Sequence, residues 1–171
     1  MRLPLITSVA LLAALTGAGV ATAATTSQQD FFTAALQKDA KVTTTIKAGL
    51  TAKQTFVDPS NLFADVTGDK KADAIVLVES GTINGAVALY VFTTDGGKSS
   101  KLRVAYRSQS LQRATARVQG TSLIIRTPAW RAGDDPCCAL RYSEATYVWN
   151  AARQTMVRTA VHEVPASVTG A

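Results

Sequence analysis

Ala86-Val87-Ala88-Leu89-Tyr90-Val91-Phe92-Thr93 is apolar on both faces that a strand presents. Successive strand side chains point to opposite sides, so Val87, Leu89 and Val91 fall on one face and Tyr90 and Phe92 on the other. A half-buried strand would alternate apolar with polar residues. This one reads as a central strand covered on both sides. The N-terminal segment offers one cover. Asp30 to Ala40 reads as a short helix with Phe31, Phe32, Ala35 and Leu36 in an apolar stripe and Ser27 or Asp30 as candidate cap.

Outward from that strand, the chain alternates in the manner of an antiparallel β-meander. Val42 to Ile46 and Thr55 to Val57 are candidate short strands, with Asp58-Pro59-Ser60-Asn61 as a turn. Ile75 to Glu79 precedes the Asn84-Gly85 turn, and Asp95-Gly96-Gly97 follows Thr93. Leu102, Val104 and Tyr106 alternate with Arg103, Ala105 and Arg107, and Ala114, Ala116 and Val118 with Arg113, Thr115 and Arg117. Gly120-Thr121 separates these from Leu123 to Thr127, and Tyr142 to Trp149 and Thr155 to Glu163 follow the loop at Pro128 to Ala139. The expectation is an α+β fold, an N-terminal helix with a mainly antiparallel sheet of about six or seven strands. Residues 24–164 form one domain and 165–171 a tail.

Residues 1–23 read as a secretory signal peptide. Arg2 is the positive end, Leu3 to Val20 the apolar run and Ala21-Thr22-Ala23 the cleavage site. No lipobox cysteine stands directly after the apolar run, and no later stretch is apolar for long enough to span a bilayer. The expected product is periplasmic or secreted, about 148 residues long, a length suited to one core. Removing the leader lowers the net charge from +6 to +5, since Arg2 is its one charged side chain. Lysines fall between Lys38 and Lys101 and mature arginines between Arg103 and Arg158, with no acid between Asp95 and Asp134.

Asp65-Val66-Thr67-Gly68-Asp69-Lys70-Lys71-Ala72-Asp73 places oxygen ligands at loop positions suited to a hard cation. Asp65, Thr67, Asp69 and Asp73 are therefore candidate Ca2+ ligands. The opposing features are Lys70, where an EF-hand turn has glycine, and Val76, where it has a bidentate glutamate. The competing reading is a turn in which the aspartates accept backbone amides. The segment Phe63-Ala64-Asp65-Val66-Thr67-Gly68-Asp69, continued by Ala72-Asp73-Ala74-Ile75-Val76, resembles a single Asp-x-x-Gly-Asp loop of FG-GAP and VCBS repeats. The order of that loop, the strand Ala88 to Phe92, Gly133-Asp134-Asp135-Pro136-Cys137-Cys138 and an aromatic strand ending Tyr147-Val148-Trp149 resembles LppP/LprE-type exported actinobacterial and bacterial domains of unknown function. That resemblance spans roughly residues 60–150 and implies an envelope or secreted location. It carries no catalytic residues. Lys70, Ala139 and the missing lipobox cysteine depart from its pattern.

Cys137 and Cys138 are the two cysteines of the chain. After export they are expected to bond one another as a structural disulfide, the alternatives being a bridge to a second chain, a bound metal or small molecule, or buried free thiols. Adjacent Cα atoms lie about 3.8 Å apart, short of the usual disulfide span, so a vicinal bridge is strained and comparatively reducible. Two thiols and the single His162 do not make a zinc set.

A turn near Ser110 would set Arg107 opposite Arg113 and Arg103 opposite Arg117, with Arg126 opposite Thr115 on the same face. Such a face suits anions. Candidate partners are an anionic lipid surface, a wall polymer or a polysaccharide, while the scarcity of interleaved aromatics disfavours nucleic acid. The competing reading is a solvated face. No Gly-x-Ser-x-Gly, Walker or His-Glu-x-x-His motif occurs, and a non-enzymatic binding or structural domain is expected. The alternative is redox or hydrolytic chemistry at Asp134-Asp135-Pro136-Cys137-Cys138.

Overall fold

A computed structural model describes residues 18–94, 101–135 and 137–166, with side chains from 28 onward. The expected leader up to residue 17, the Asp95-Gly96-Gly97 turn, Pro136 and the last five tail residues lie outside the described residues. The elements are α1 (Ala18–Lys38), α2 (Thr44–Thr51), β1 (Phe56–Val57), β2 (Leu62–Ala64), β3 (Asp73–Glu79), β4 (Ala86–Thr94), β5 (Leu102–Ser108), β6 (Thr115–Gln119), β7 (Ser122–Pro128), β8 (Arg141–Asn150) and β9 (Thr155–Pro165). The protein is an α+β domain with its helices N-terminal and its strands antiparallel.

The strands divide into two sheets rather than one meander. In the first, the order is β1-β3-β4-β5, with β2 on the same edge of β3 as β1 but at its other end. The second runs β6-β7-β8-β9. One core lies between the helices and the first sheet and joins Phe32, Leu36, Ile46, Leu50, Val76, Tyr90 and Phe92. The other lies between the sheets and joins Ile75, Leu89, Val91, Leu123, Ile125 and Met156. β4 is therefore sandwiched, which is why both its faces are apolar.

Two bulges in the first sheet change the faces read from strict alternation. Val78 pairs with Ala88 and Glu79 with Ala86, so Val87 is an extra residue and packs toward the helices with Ala88. Ala105 is the extra residue between the pairs Val91–Tyr106 and Phe92–Val104. Val104 faces the helices, whereas Ala105 and Tyr106 both enter the core between the sheets. A bulge inserts one unpaired residue and shifts the period by one.

The division into sheets happens at Gln109 to Ala114. Instead of turning back on β5, this segment follows β4, with Leu111 N–H donating to Val87 O, Arg113 to Asn84 O and Ala114 to Ala86 O. Arg113 has φ of 49°, a left-handed conformation that re-aims the chain into β6. Gly85 beside it has φ of 54°, and a Cβ there would stand 3.1 Å from the Arg113 Cα. Only glycine fits that close crossing without displacement.

Val42 to Ile46 is not a strand. Val42 ends a turn and Thr44 opens α2, because Val42, Ile46 and Leu50 recur at four-residue spacing and all enter the helix-side core. The first helix begins upstream of Ser27 and Asp30, so neither caps it, and it ends at Lys38. At the other end β9 continues through Pro165, and Ala166 N–H donates to Leu140 O, so the start of the expected tail belongs to the sheet. No described helix is long and apolar enough to cross a membrane.

Candidate functional site

In the Asp65–Asp73 loop the carboxylates turn onto the backbone. Asp65 Oδ1 accepts the N–H groups of Gly68 at 2.6 Å and Asp69 at 3.2 Å, and its Oδ2 accepts Lys70 N–H at 2.8 Å. Asp69 Oδ1 accepts Lys71 N–H at 2.9 Å. Asp73, only 1% exposed, accepts Val66 and Thr67 N–H through Oδ2, each at 2.9 Å, and the Thr67 hydroxyl through Oδ1 at 3.3 Å. Among the described residues, no three acidic, histidine or cysteine side chains come together to hold a metal. Lys70 occupies a left-handed backbone site with φ of 65°. The geometry is that of a turn satisfied by its own aspartates.

Cys137 and Cys138 are bonded to each other, with Cα atoms 3.8 Å apart. Both residues are exposed on a turn braced by Asp135, which accepts Cys137 N–H at 2.9 Å, and by Arg113, which donates to Cys137 O at 2.7 Å. Asp134 instead accepts from Arg131 N–H and pairs with Arg141. His162 lies on β9 beside Glu144 at 3.5 Å.

The five arginines expected on one face are dispersed. Because of the bulge at Ala105, Arg103 and Arg107 leave β5 on opposite sides. Arg107 pairs with Asp39 on the helix side at 3.1 Å, while Arg103 reaches Gln154 and lies 5.4 Å from the Trp149 ring centre. Arg113 belongs to the cysteine turn, so the pairings Arg107–Arg113 and Arg103–Arg117 do not form, β5 and β6 being in different sheets. Thr115 does pair with Arg126, and Arg117 and Arg126 share the outer face of the second sheet. There, the nearly buried Glu144 receives Arg117 at 3.2 Å and Arg126 at 3.9 Å, with Arg126 stacked 4.1 Å from the Tyr142 ring centre. An acid already sits at the middle of these two cations.

Among the described residues a concavity of ligand dimensions lies elsewhere, between the C-terminal half of α1 and β5. Its volume is about 620 Å³, and Phe31, Ala34, Ala35, Phe92, Leu102 and Val104 line it together with the charged Lys38, Asp39, Lys41, Arg103 and Arg107. Phe31 is 56% exposed and Leu102 36%, so two large apolar side chains remain uncovered at its mouth. The floor is rigid. Phe31 packs edge-on against Phe32, which packs on Phe92, with 5.2 Å between ring centres in each pair.

A polar network fixes the far wall. Asp39 Oδ1 accepts Lys41 N–H at 2.8 Å while its Oδ2 holds Arg107. Gln109 accepts from Thr43 N–H and the Tyr90 hydroxyl and donates to Lys41 O. Burial pushes the Tyr90 phenol up to about 12, against the opposing pull of Arg107, so it stays protonated and donates. Burial likewise raises the Tyr106 phenol on the other face of the sheet, reinforced by its hydrogen bond with Tyr147.

Sequence reading missed this cleft. Phe31 reads as core, because its stripe with Phe32, Ala35 and Leu36 gives no sign that β5 stops short of covering it. The available signal was the excess of lysines around the end of α1, at Lys38 and Lys41. Comparison with family models, curated proteins and solved structures found no match.

Proposed function

We propose that this protein is an exported, non-catalytic binding domain that takes an apolar or amphiphilic small molecule in the cleft between α1 and β5. The observation that carries the reading is the cleft itself. Its volume of about 620 Å³ falls in the range of small-molecule sites, and its walls are aromatic and aliphatic with a few charged groups. Export rests on the signal-like leader of residues 1–23. The dispersal of the arginines moves the expected anion-binding role away from a shared arginine face and toward the cations of this cleft.

The test is titration with N-phenylnaphthylamine, an apolar dye that brightens in a dry site. Ala34 is exposed on α1 and lines the cleft, so Ala34→Trp fills it without entering the core. The expected result is saturable brightening in the wild type and a loss of affinity of about tenfold or more in Ala34→Trp, with stability changed by about 0.5 kcal/mol or less. Ile83, 84% exposed at the β3–β4 turn, is the control. Dye binding abolished by Ile83→Ser and untouched by Ala34→Trp would sink the cleft reading.

A second reading, thiol–disulfide response, is supported by the exposure of both bonded cysteines. A monomer whose intact mass gains two hydrogens on reduction is the expected result. A dimer that separates on reduction would instead assign the cysteines to an interchain bridge.

A further inference from the structure

Resting on the cleft reading above, we infer that the occupant is a single-chain amphiphile with an anionic head. Its chain lies along Phe31, Phe92, Leu102 and Val104, and its head lies among Lys38, Lys41 and Arg107. Three observations converge on this ligand class.

The first is the order of the walls. The apolar cleft adjoins a recess of about 290 Å³, with Lys41, Val104 and Arg107 lining both. That recess follows the outer edge of β5 to Gln154 and Thr155, so its walls become polar with distance from Phe31. A wholly apolar molecule would leave the polar end unmatched, and a wholly polar one would leave Phe31 and Leu102 against water. An amphiphile fits both ends.

The second is the sign of the charge. Lys38, Lys41, Arg103 and Arg107 line the cleft with one acid, Asp39, whose two carboxylate oxygens are already engaged by Arg107 and by Lys41 N–H. The lysine side chains among them are exposed. Ammonium ends compactly on a flexible stem and follows a head group more readily than a fixed fork does. The third is placement. Lys41 and Arg107 line both the apolar cleft and the polar recess, so a head held by them leaves its chain on the Phe31–Phe92 side.

Displacement of N-phenylnaphthylamine by dodecanoate and dodecyltrimethylammonium, each below its micelle concentration, and by dodecanol, below its solubility limit, tests the head group. Dodecanoate is expected to displace the dye at about tenfold lower concentration than dodecanol, the equivalent of two exposed charge contacts, and the ammonium is expected to be the weakest. Added salt should shrink this preference. Lys38→Glu/Lys41→Glu should abolish it while dodecanol binding persists, showing that the fold and cleft survive. Acetate alone should not displace the dye. Equal displacement by dodecanoate and dodecanol, or a preference that survives the double charge reversal, overturns the anionic head and leaves the cleft reading standing. No saturable dye binding in the wild type removes both.

Discussion

Replacing Asp73 with alanine is expected to cost about 3–5 kcal/mol of unfolding free energy, read as a fall in the denaturant midpoint. The carboxylate is fully enclosed and accepts two backbone N–H groups and a hydroxyl, all from Val66 and Thr67. Val66 is itself buried between the sheets, so its amide has no route to water once the acceptor is gone. An orphaned buried donor costs about 1–3 kcal/mol, and charge-assisted bonds lie toward the upper end. Asp65→Ala is the comparison, because the amides it holds at Gly68, Asp69 and Lys70 are exposed and can turn to solvent. Its cost should be about 1 kcal/mol. The Asp73→Ala loss should be the same in calcium and in chelator, since its oxygens are committed to the backbone. A loss that appears only with calcium present would convert the loop into a cation site.

Tyr90→Ala is the second large effect, again about 3–5 kcal/mol. Tyr90 has no exposed surface, stands in the strand that both cores share and packs beside Phe92. Tyr90→Phe keeps the ring and removes only the donor to Gln109, whose oxygen still receives Thr43 N–H, so about 1 kcal/mol is expected. The phenol also sets a pH dependence. Its ordinary value is 10.0 and the fold holds it near 12, so in that window the unfolded chain releases a proton that the native chain retains. The native state binds more protons there, and stability must fall as pH rises. Below pH 10 the contribution is intact. Tyr106, raised for the same reason of burial, adds a fall of the same sign, so Tyr90→Phe should reduce the alkaline loss without removing it. An alkaline denaturation profile unchanged by Tyr90→Phe would contradict the assignment.

The dispersed arginines have a cause that no local pattern displays. Leu102 to Arg107 reads as simple alternation, which puts Arg103 and Arg107 on one face. One extra residue at Ala105 separates them, leaving Arg107 beside α1 and Arg103 beside Trp149. A bulge is a mismatch between two strands, so it cannot be read from either strand alone. The same holds at Val87, where the surplus residue appears only when β3 is laid against β4. The Val42–Ile46 segment illustrates a different limit. Its threonines favour strand locally, but burial of Val42, Ile46 and Leu50 against the first sheet outweighs that preference.

What the chain determined by itself was local or one-dimensional. The two-sided apolar run of Ala86 to Thr93 required a covered central strand, and Asp65 to Asp73 contained its own hydrogen-bond acceptors within nine residues. Adjacent Cys137 and Cys138 likewise needed no fold to bring them near one another. Tertiary structure alone decided that Leu111 and Arg113 carry the chain along β4 into a second sheet, and that β5 leaves Phe31 and Leu102 uncovered. It also decided that Glu144 lies between Arg117 and Arg126. Each depends on which surfaces meet across long stretches of chain, and burial rewards the meeting rather than the residue type.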